Sequence, residues 1–237
     1  MKNIYDSYFT SHFKRVNDLS VAGFDKSAKY YDYFYKEFLP NDKHLRILDI
    51  GCGTGQFLHF LEKERFTNYY GIDVSDQQID FCKKNITEKV EEADCFEFLL
   101  SKKDAFDLVA MNDILEHIPK DRTTELLNLI RDSLREKGVL LIKTPNMANP
   151  FSLMDRYKDI THEVGFTEYS LREILEATQF KHILIKGASY PAISLEAVAG
   201  KIAEKVIHFC MKIMFLVQGY SSPKILAKNI IAVAQKK

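Results

Sequence analysis

The chain has no excess of either charge. Its 237 residues carry 33 Lys plus Arg and 33 Asp plus Glu, and no basic run supplies the phosphate-tracking surface that rRNA or DNA would demand, so no nucleic-acid partner is expected. Cysteine is equally uninformative as a framework. Cys52, Cys82, Cys95 and Cys210 form no C-x-x-C pair and no metal-ligand spacing, and they read as buried thiols. No apolar N-terminal segment directs export, which together with the thiols predicts a cytoplasmic protein. Repeats, low-complexity tracts and flexible linkers are missing too, and 46% hydrophobic residues suffice for one sizeable core, so residues 1–237 read as a single domain. The acids and histidines show no closely spaced set, and no metal is expected.

What the chain does have is concentrated in Ile47-Leu48-Asp49-Ile50-Gly51-Cys52-Gly53-Thr54-Gly55. A short apolar strand carrying an acid runs into three glycines at alternate positions, which let the backbone approach a ligand and turn into a helix beginning near Phe57. A dinucleotide fingerprint needs a third glycine at position 56, where Gln56 stands, and no Gly-Lys-Ser/Thr follows for a phosphate loop.

The remaining pattern, D-x-G-x-G-x-G, resembles that of the class I S-adenosylmethionine (SAM)-dependent methyltransferases, whose loop packs glycine backbone against a methionine moiety. The downstream landmarks keep that resemblance. Asn68 to Ser75 reads as a second strand ending in a carboxylate, Asp73, placed for both ribose hydroxyls, with Val74 beside it and Ser75 as cap of the next helix. Val90 to Phe96 follows. The resemblance implies that Asp94 faces the adenine amino group and Cys95 the ring. Phe106 to Asp113 is a fourth strand, and Ile114-Leu115-Glu116-His117 after it resembles the L-E-H stretch of small-molecule methyltransferases, which implies that Asn112 and Asp113 line the methionine and acceptor sides. Cofactor contacts are thus expected from Asp49, Gly51, Cys52, Gly53, Gly55, Asp73, Val74, Asp94, Cys95 and Asn112. Glu116 and His117 read equally well as a structural pair closing the loop.

Strands alternating with helices at about thirty-residue intervals predict an α/β fold with a parallel, doubly wound sheet. The resemblance makes it a Rossmann-like sheet of seven strands, the last antiparallel. The fifth strand is expected over Gly138 to Thr144, the sixth over Lys181 to Lys186 and the seventh over Ile225 to Ala234. Residues 45–145 form the cofactor-binding core.

Three additions frame that core. Residues 1–44 are expected to form a helical lid rich in aromatics: Tyr5, Tyr8, Phe9, Phe13, Tyr30, Tyr31, Tyr33, Phe34 and Tyr35. Most of these should pack on the sheet, with Tyr30 and Tyr31 nearest the pocket. Residues 146–168 form an insertion at the carboxyl end of the sheet, where specificity is expected. Its D-x-T-H…F-T…S-L succession resembles that of methyltransferases of surface-polysaccharide synthesis, in which the histidine points to the acceptor. His162 is therefore the first choice of general base and His117 the second, with Tyr157 and Glu163 as acceptor contacts. Ser170, with Glu173 completing a capping box, should start the next helix. Residues 192–218 read as an amphipathic helix, with Lys201, Glu204, Lys205, His208 and Lys212 along one face. Its charges are too many for a membrane span. It could dock on the domain, on a second subunit as a homodimer, or on a membrane surface.

The expected reaction passes the methyl group of SAM to an oxygen, leaving S-adenosylhomocysteine. The acceptor expected is a sugar or a phosphate- or phosphoramidate-type group in capsule or lipopolysaccharide biosynthesis. A quinone-type or other lipid-like acceptor, or a non-catalytic SAM-binding regulator, stands as the alternative.

Overall fold

A computed structural model describes residues 17–189 and 195–237, with side chains given from 198 onward in the second stretch. Tyr5, Tyr8, Phe9 and Phe13 of the expected lid lie outside the described residues. The elements in chain order are α1 (Val21–Tyr35), β1 (Ile47–Ile50), α2 (Gln56–Lys63), β2 (Tyr69–Asp73), α3 (Asp76–Asn85), β3 (Val90–Glu92), α4 (Cys95–Leu100) and β4 (Phe106–Asn112). A short 3-10 turn (Lys36–Phe38) follows α1, and a second one (Leu115–His117) leads from β4 to α5 (Thr123–Ser133), β5 (Leu134–Pro145), α6 (Ser152–Lys158), α7 (Glu168–Ala177), β6 (Lys181–Ala188), α8 (Leu195–Val217) and β7 (Asn229–Gln235).

The seven strands form one sheet in the order β3-β2-β1-β4-β5-β7-β6. Pairings from β3 through β5 are parallel, and β7 runs antiparallel between β5 and β6. The strand order reverses between β1 and β4, the crevice where ligands of open α/β sheets bind. All four residues of β1 are buried, as a central parallel strand covered on both faces requires.

Helices cover both faces. On one, Leu126, Leu127 and Ile130 of α5 and Leu171 and Leu175 of α7 pack against Leu48, Ile50, Val109 and Leu140. On the other, α1 and α2 interlock through aromatic rings: the Tyr31 centroid lies 5.2 Å from Phe57 and 5.8 Å from Phe60, and Tyr35 lies 5.8 Å from Phe57. The aromatics of α1 are thus largely wall rather than lid. Tyr33 is exposed and Tyr35 fully buried.

Several boundaries differ from the sequence expectation. β5 begins at Leu134, directly after α5, and β7 begins at Asn229 because residues 225–228 are held by the insertion instead of by the sheet. Asn146 Nδ2 donates to the carbonyls of Ile225 (3.0 Å) and Ala227 (2.9 Å), its Oδ1 accepts from Ala148 N (3.1 Å), and Asn149 Nδ2 donates to Leu226 O (2.9 Å). The insertion also contains α6, which its mixed composition hid. α7 starts two residues before Ser170: Thr167 is its cap, and Ser170 completes a reciprocal box with it, displacing Glu173 from that role. Cys52 and Cys82 are buried as expected and Cys95 is half-buried, but Cys210 is exposed because it lies on the outer side of α8.

α8 is inverted relative to an ordinary surface helix. Met211 is buried, and Lys201, Glu204, His208 and Phe215 are half-buried, with Ser189 Oγ donating to Glu204 Oε1 at 2.6 Å. Ile202, Val206, Phe209, Ile213, Met214, Leu216 and Val217 are exposed. Among the described residues no helix is long and apolar enough to cross a membrane.

Asn146 is buried and satisfies three backbone groups, so Asn146→Ala is expected to destabilise the fold by about 1–3 kcal/mol. Urea denaturation measures this, and a loss below about 0.5 kcal/mol would show that the insertion is anchored elsewhere.

Candidate active site

The glycine turn leaves β1 and stays on the sheet edge: Gly51 N and Cys52 N both donate to Ile72 O, at 2.8 and 3.0 Å. Gly51, Gly53 and Gly55 have φ of 69°, 55° and 92°, the left-handed region open to glycine. A Cβ on Gly51 would stand 2.0 Å from Ile114 Cδ1, and one on Gly55 would stand 2.6 Å from Cys82 Sγ. Cys52 and Thr54 are buried within the turn, and α2 opens directly from Gly55.

The turn is fixed by the end of β2. Asp73 is buried, its Oδ2 accepting from Gly53 N and its Oδ1 from Ser75 N, each at 2.9 Å. Burial raises its pKa, and the amides of Ser75, Gly53 and Val74 oppose that shift. Val74 is exposed beside it, and Ser75 caps α3 as expected. At the next strand end Asp94 is exposed and caps α4, its Oδ1 accepting from Phe96 N (2.8 Å) and Glu97 N (3.2 Å), while Cys95 is half-buried behind it.

The cradle fits SAM on two observations. Its backbone occupies conformations that side chains would fill or strain, and Asp49 Oδ1 and Thr54 Oγ1 are buried without a hydrogen-bond partner among the described residues. Burial holds the Asp49 pKa well above the ordinary carboxylate range, against the favourable effect of Asn112 alongside.

The end of β4 meets α1 and β5. Asn112 Oδ1 accepts from Tyr35 Oη at 2.5 Å, which ties α1 to the strand end. Asp113 is held at φ 56°, an unusual conformation for a non-glycine residue, and its Oδ2 lies 2.5 Å from Lys143 Nζ. Burial alone would push the Lys143 ammonium down, but Asp113 and the tyrosines at 30, 31 and 35 more than reverse this. Lys143 also lies 5.3 Å from the Tyr30 ring. Tyr31 is buried, with its hydroxyl pushed up by burial.

Past Asp113 the 3-10 turn meets the insertion. Glu116 O accepts from Glu163 N (2.8 Å) and Val164 N (3.1 Å), and Glu116 Oε2 accepts from Thr144 Oγ1 (2.9 Å). Glu116 is buried, and its carboxyl is raised to about 8, by burial first and then by Asp113. The His117 and His162 rings stand edge to face with centroids 4.6 Å apart. Burial and the proximity of His162 lower His117 to about 4, and burial lowers His162 as well. Both imidazoles are therefore neutral near pH 7 and can accept a proton or offer a lone pair.

The fold thus assembles Asp113, His117 and His162, with Tyr30 and Tyr31 behind them, at the carboxyl ends of β4 and β5. Tyr157 and Glu163 are exposed on the insertion: Tyr157 packs with Arg156, 5.4 Å away, and Glu163 contributes its backbone. Sequence reasoning missed Tyr35, Lys143 and Thr144. Lys143 had a signal, a lone charge ending the apolar run Val139 to Ile142. The lack of a closely spaced ligand set also did not foretell that Glu116, His117 and His162 gather with their ligand atoms within 4.8 Å of one another. His162 is 45 residues beyond His117 in the chain, and the hydrogen bonds of Glu116 and His117 to the insertion bring them together.

A family model described as a methyltransferase domain matches residues 9–185. A carboxy-S-adenosyl-L-methionine synthase from Campylobacter curvus is 25% identical over 187 residues, covering 74% of this chain and 77% of its own length. The fold is similar to that of a SAM-dependent methyltransferase from Archaeoglobus fulgidus, with TM-score 0.68 and 24% identity over 98% of this chain and 100% of that one. It is also similar to that of the magnesium protoporphyrin IX methyltransferase of Synechocystis with bound SAM, with TM-score 0.61 and 16% identity over 100% and 97% of the two chains. The chain belongs to the methyltransferase-domain family and is a SAM-dependent methyltransferase.

Because Asp73 pins Gly53 of the glycine turn, Asp73→Asn is expected to weaken SAM binding about tenfold or more, on the order of 1.4 kcal/mol. Isothermal titration measures it, and unchanged affinity would remove Asp73 from the cofactor site.

Proposed function

We propose that this methyltransferase transfers its methyl group to an oxygen of a small acceptor, a sugar hydroxyl or a phosphate- or phosphoramidate-type oxygen of a capsule or lipopolysaccharide precursor. The observation that carries the proposal is the neutral His117–His162 pair standing beside Asp113 at the carboxyl end of β4. Bound SAM supplies an already activated methyl group, so the chain's tasks are to align the acceptor, exclude water and handle one proton. Asp49, the glycine turn, Asp73, Val74, Asp94, Cys95 and Asn112 hold the cofactor. Tyr30 and Asp113 border the acceptor, and Tyr157 and Glu163 rim its entrance. His162, half-exposed, accepts the hydroxyl proton, and His117 behind it orients the ring.

A lipid-like acceptor, free or carrying the sugar, is favoured by a separate observation. The exposed apolar residues of α8, flanked by Lys201, Lys205 and Lys212, form the pattern of an interfacial helix. α6 and its cap add exposed Phe151, Leu153, Met154 and Tyr157, on the insertion that follows β5. We place this face on a membrane surface. A quinone-type acceptor would use the same face.

Two measurements test these proposals. Incubation with methyl-deuterated SAM and fractionated soluble and lipid metabolites, read by mass spectrometry, should show a labelled acceptor, and His162→Ala should lower the rate about a hundredfold or more if the acceptor is an alcohol. A small loss would assign an anionic acceptor, which needs no base. A carboxylated cofactor in place of a methylated acceptor would instead align the chain with its Campylobacter relative. For the surface, the protein should float with anionic vesicles and the Ile202→Asp, Ile213→Asp double variant should not. A chain that fails to float and is dimeric by light scattering would replace the membrane by a second copy.

A further inference from the structure

The acceptor side holds a group that the proposed proton transfer does not explain. Glu116 is 2% exposed, and its Oε1 has no hydrogen-bond partner among the described residues, although Oε2 is satisfied by Thr144. A buried carboxylate oxygen left without a partner is costly and calls for one.

The hydrogen bonds around the two histidines determine what each ring presents. Thr161 Oγ1 gives its single hydrogen to Asp159 Oδ1 at 2.6 Å, so toward His117 Nδ1, 2.9 Å away, it can only accept. His117 Nδ1 therefore carries the proton, and Nε2 keeps a lone pair. A ring N–H of His162 is likewise engaged by the backbone carbonyl of Asp155, leaving its other nitrogen with a lone pair. Each imidazole has one nitrogen fixed by a carbonyl or a hydroxyl–carboxylate relay and the other free, the arrangement that orients histidines on a metal ion.

The ligand atoms of Glu116, His117 and His162 all lie within 4.8 Å of one another. Bonds of about 2.0–2.2 Å to one ion place such atoms roughly 3–4 Å apart, so loading requires closure by about an ångström. The 3-10 turn carries two of the three ligands, and the insertion, hydrogen-bonded to that turn through Glu116 O, carries the third.

We infer that Glu116, His117 and His162 form a binding site for a divalent first-row transition ion that takes the acceptor oxygen as a further ligand. One carboxylate and two imidazoles suit Zn2+, Co2+ or Mn2+, and three protein ligands leave a position open. The role in acceptor binding rests on the methyltransferase reading above. An acceptor hydroxyl on the ion releases its proton to solvent water more readily, as metal-bound water does. The ion then activates the acceptor and the histidines hold the ion, so that with the site loaded His162 serves as a ligand in place of the proton acceptor proposed above. Asp113, paired with Lys143 next to the turn, keeps its charge on the open side.

Titration of the metal-free protein with Co2+ tests the site without catalysis. One equivalent should bind with visible d–d absorption, and Zn2+ should displace it. His117→Ala and His162→Asn should each weaken Co2+ binding at least tenfold while SAM affinity stays unchanged. The second variant is half-exposed and guards against misfolding, which circular dichroism checks. Absent absorption, or binding retained in both variants, would overturn the site and leave Glu116 as a protonated donor to an imidazole. The deuterated-methyl assay, run with chelator and with Mn2+, separates the two proposals. Transfer unaffected by chelator would sink the metal role while the methyltransferase reading stood, and Co2+ binding without any transfer would do the reverse.

Discussion

Glu116 is where the turn after β4, the end of β5 and the insertion are held together. Its carbonyl takes two amides from the insertion, its carboxylate takes the Thr144 hydroxyl from the end of β5, and its own backbone belongs to the turn that leaves β4. Three segments distant in sequence meet on one residue, and the position of His162 against His117 follows from that meeting. Such a polar junction in a low-dielectric interior rigidifies when satisfied and is costly when not. Three of its acceptor positions are used inside the protein, and the fourth, Oε1, has no hydrogen-bond partner among the described residues.

The cofactor half depends on a different kind of constraint. Parallel register places the ends of β1, β2 and β4 level with one another, Ile50 opposite both Ile72 and Met111, so the turn after β1 has the carboxylate of β2 on one side and Asn112 of β4 on the other. Backbone geometry does most of the shaping there. Left-handed glycines remove the side chains, and Asp73 fixes Gly53 directly. This half tolerates little change of residue type at the turn and needs few long-range hydrogen bonds between side chains.

That contrast explains what was legible in the sequence. The glycine turn, Asp73 and the Ser75 cap are local patterns, written within a few residues of one another, and each was readable before the fold was known. The cap of α7 was misplaced by three residues because Thr167 and Ser170 are both good caps and only the backbone entering from the Asn146–Phe166 bridge chooses between them. The Lys143–Asp113 pair and the Tyr35–Asn112 bond join positions thirty and seventy-seven residues apart, and no spacing rule announces them. The aromatic density of residues 24–35 was readable, but its division between wall and pocket required the rings of α2 opposite. Cys210 was misjudged with α8: the periodicity of that helix was visible, whereas which face meets the protein is decided by the partners of Glu204 and Lys201.

The inversion of α8 has an energetic consequence that links surface to chemistry. Burying apolar area releases about 25 cal/mol per Å2, so a helix that turns half-buried Lys201, Glu204 and His208 inward and leaves Ile202, Phe209, Ile213 and Leu216 in water forgoes the usual driving force for docking. Besides buried Met211, the contacts that hold it include polar ones, Glu204 to Ser189 and the Lys201 ammonium 5.7 Å from the Tyr33 ring. A contiguous exposed apolar face of this kind gains free energy whenever an apolar phase covers it. Ser189 immediately follows β6, and Tyr33 belongs to the helix that contacts Asn112 through Tyr35, so these contacts tie α8 to the end of β6 and to α1. Two polar contacts therefore fix which face of the helix meets the protein and leave its apolar face outward.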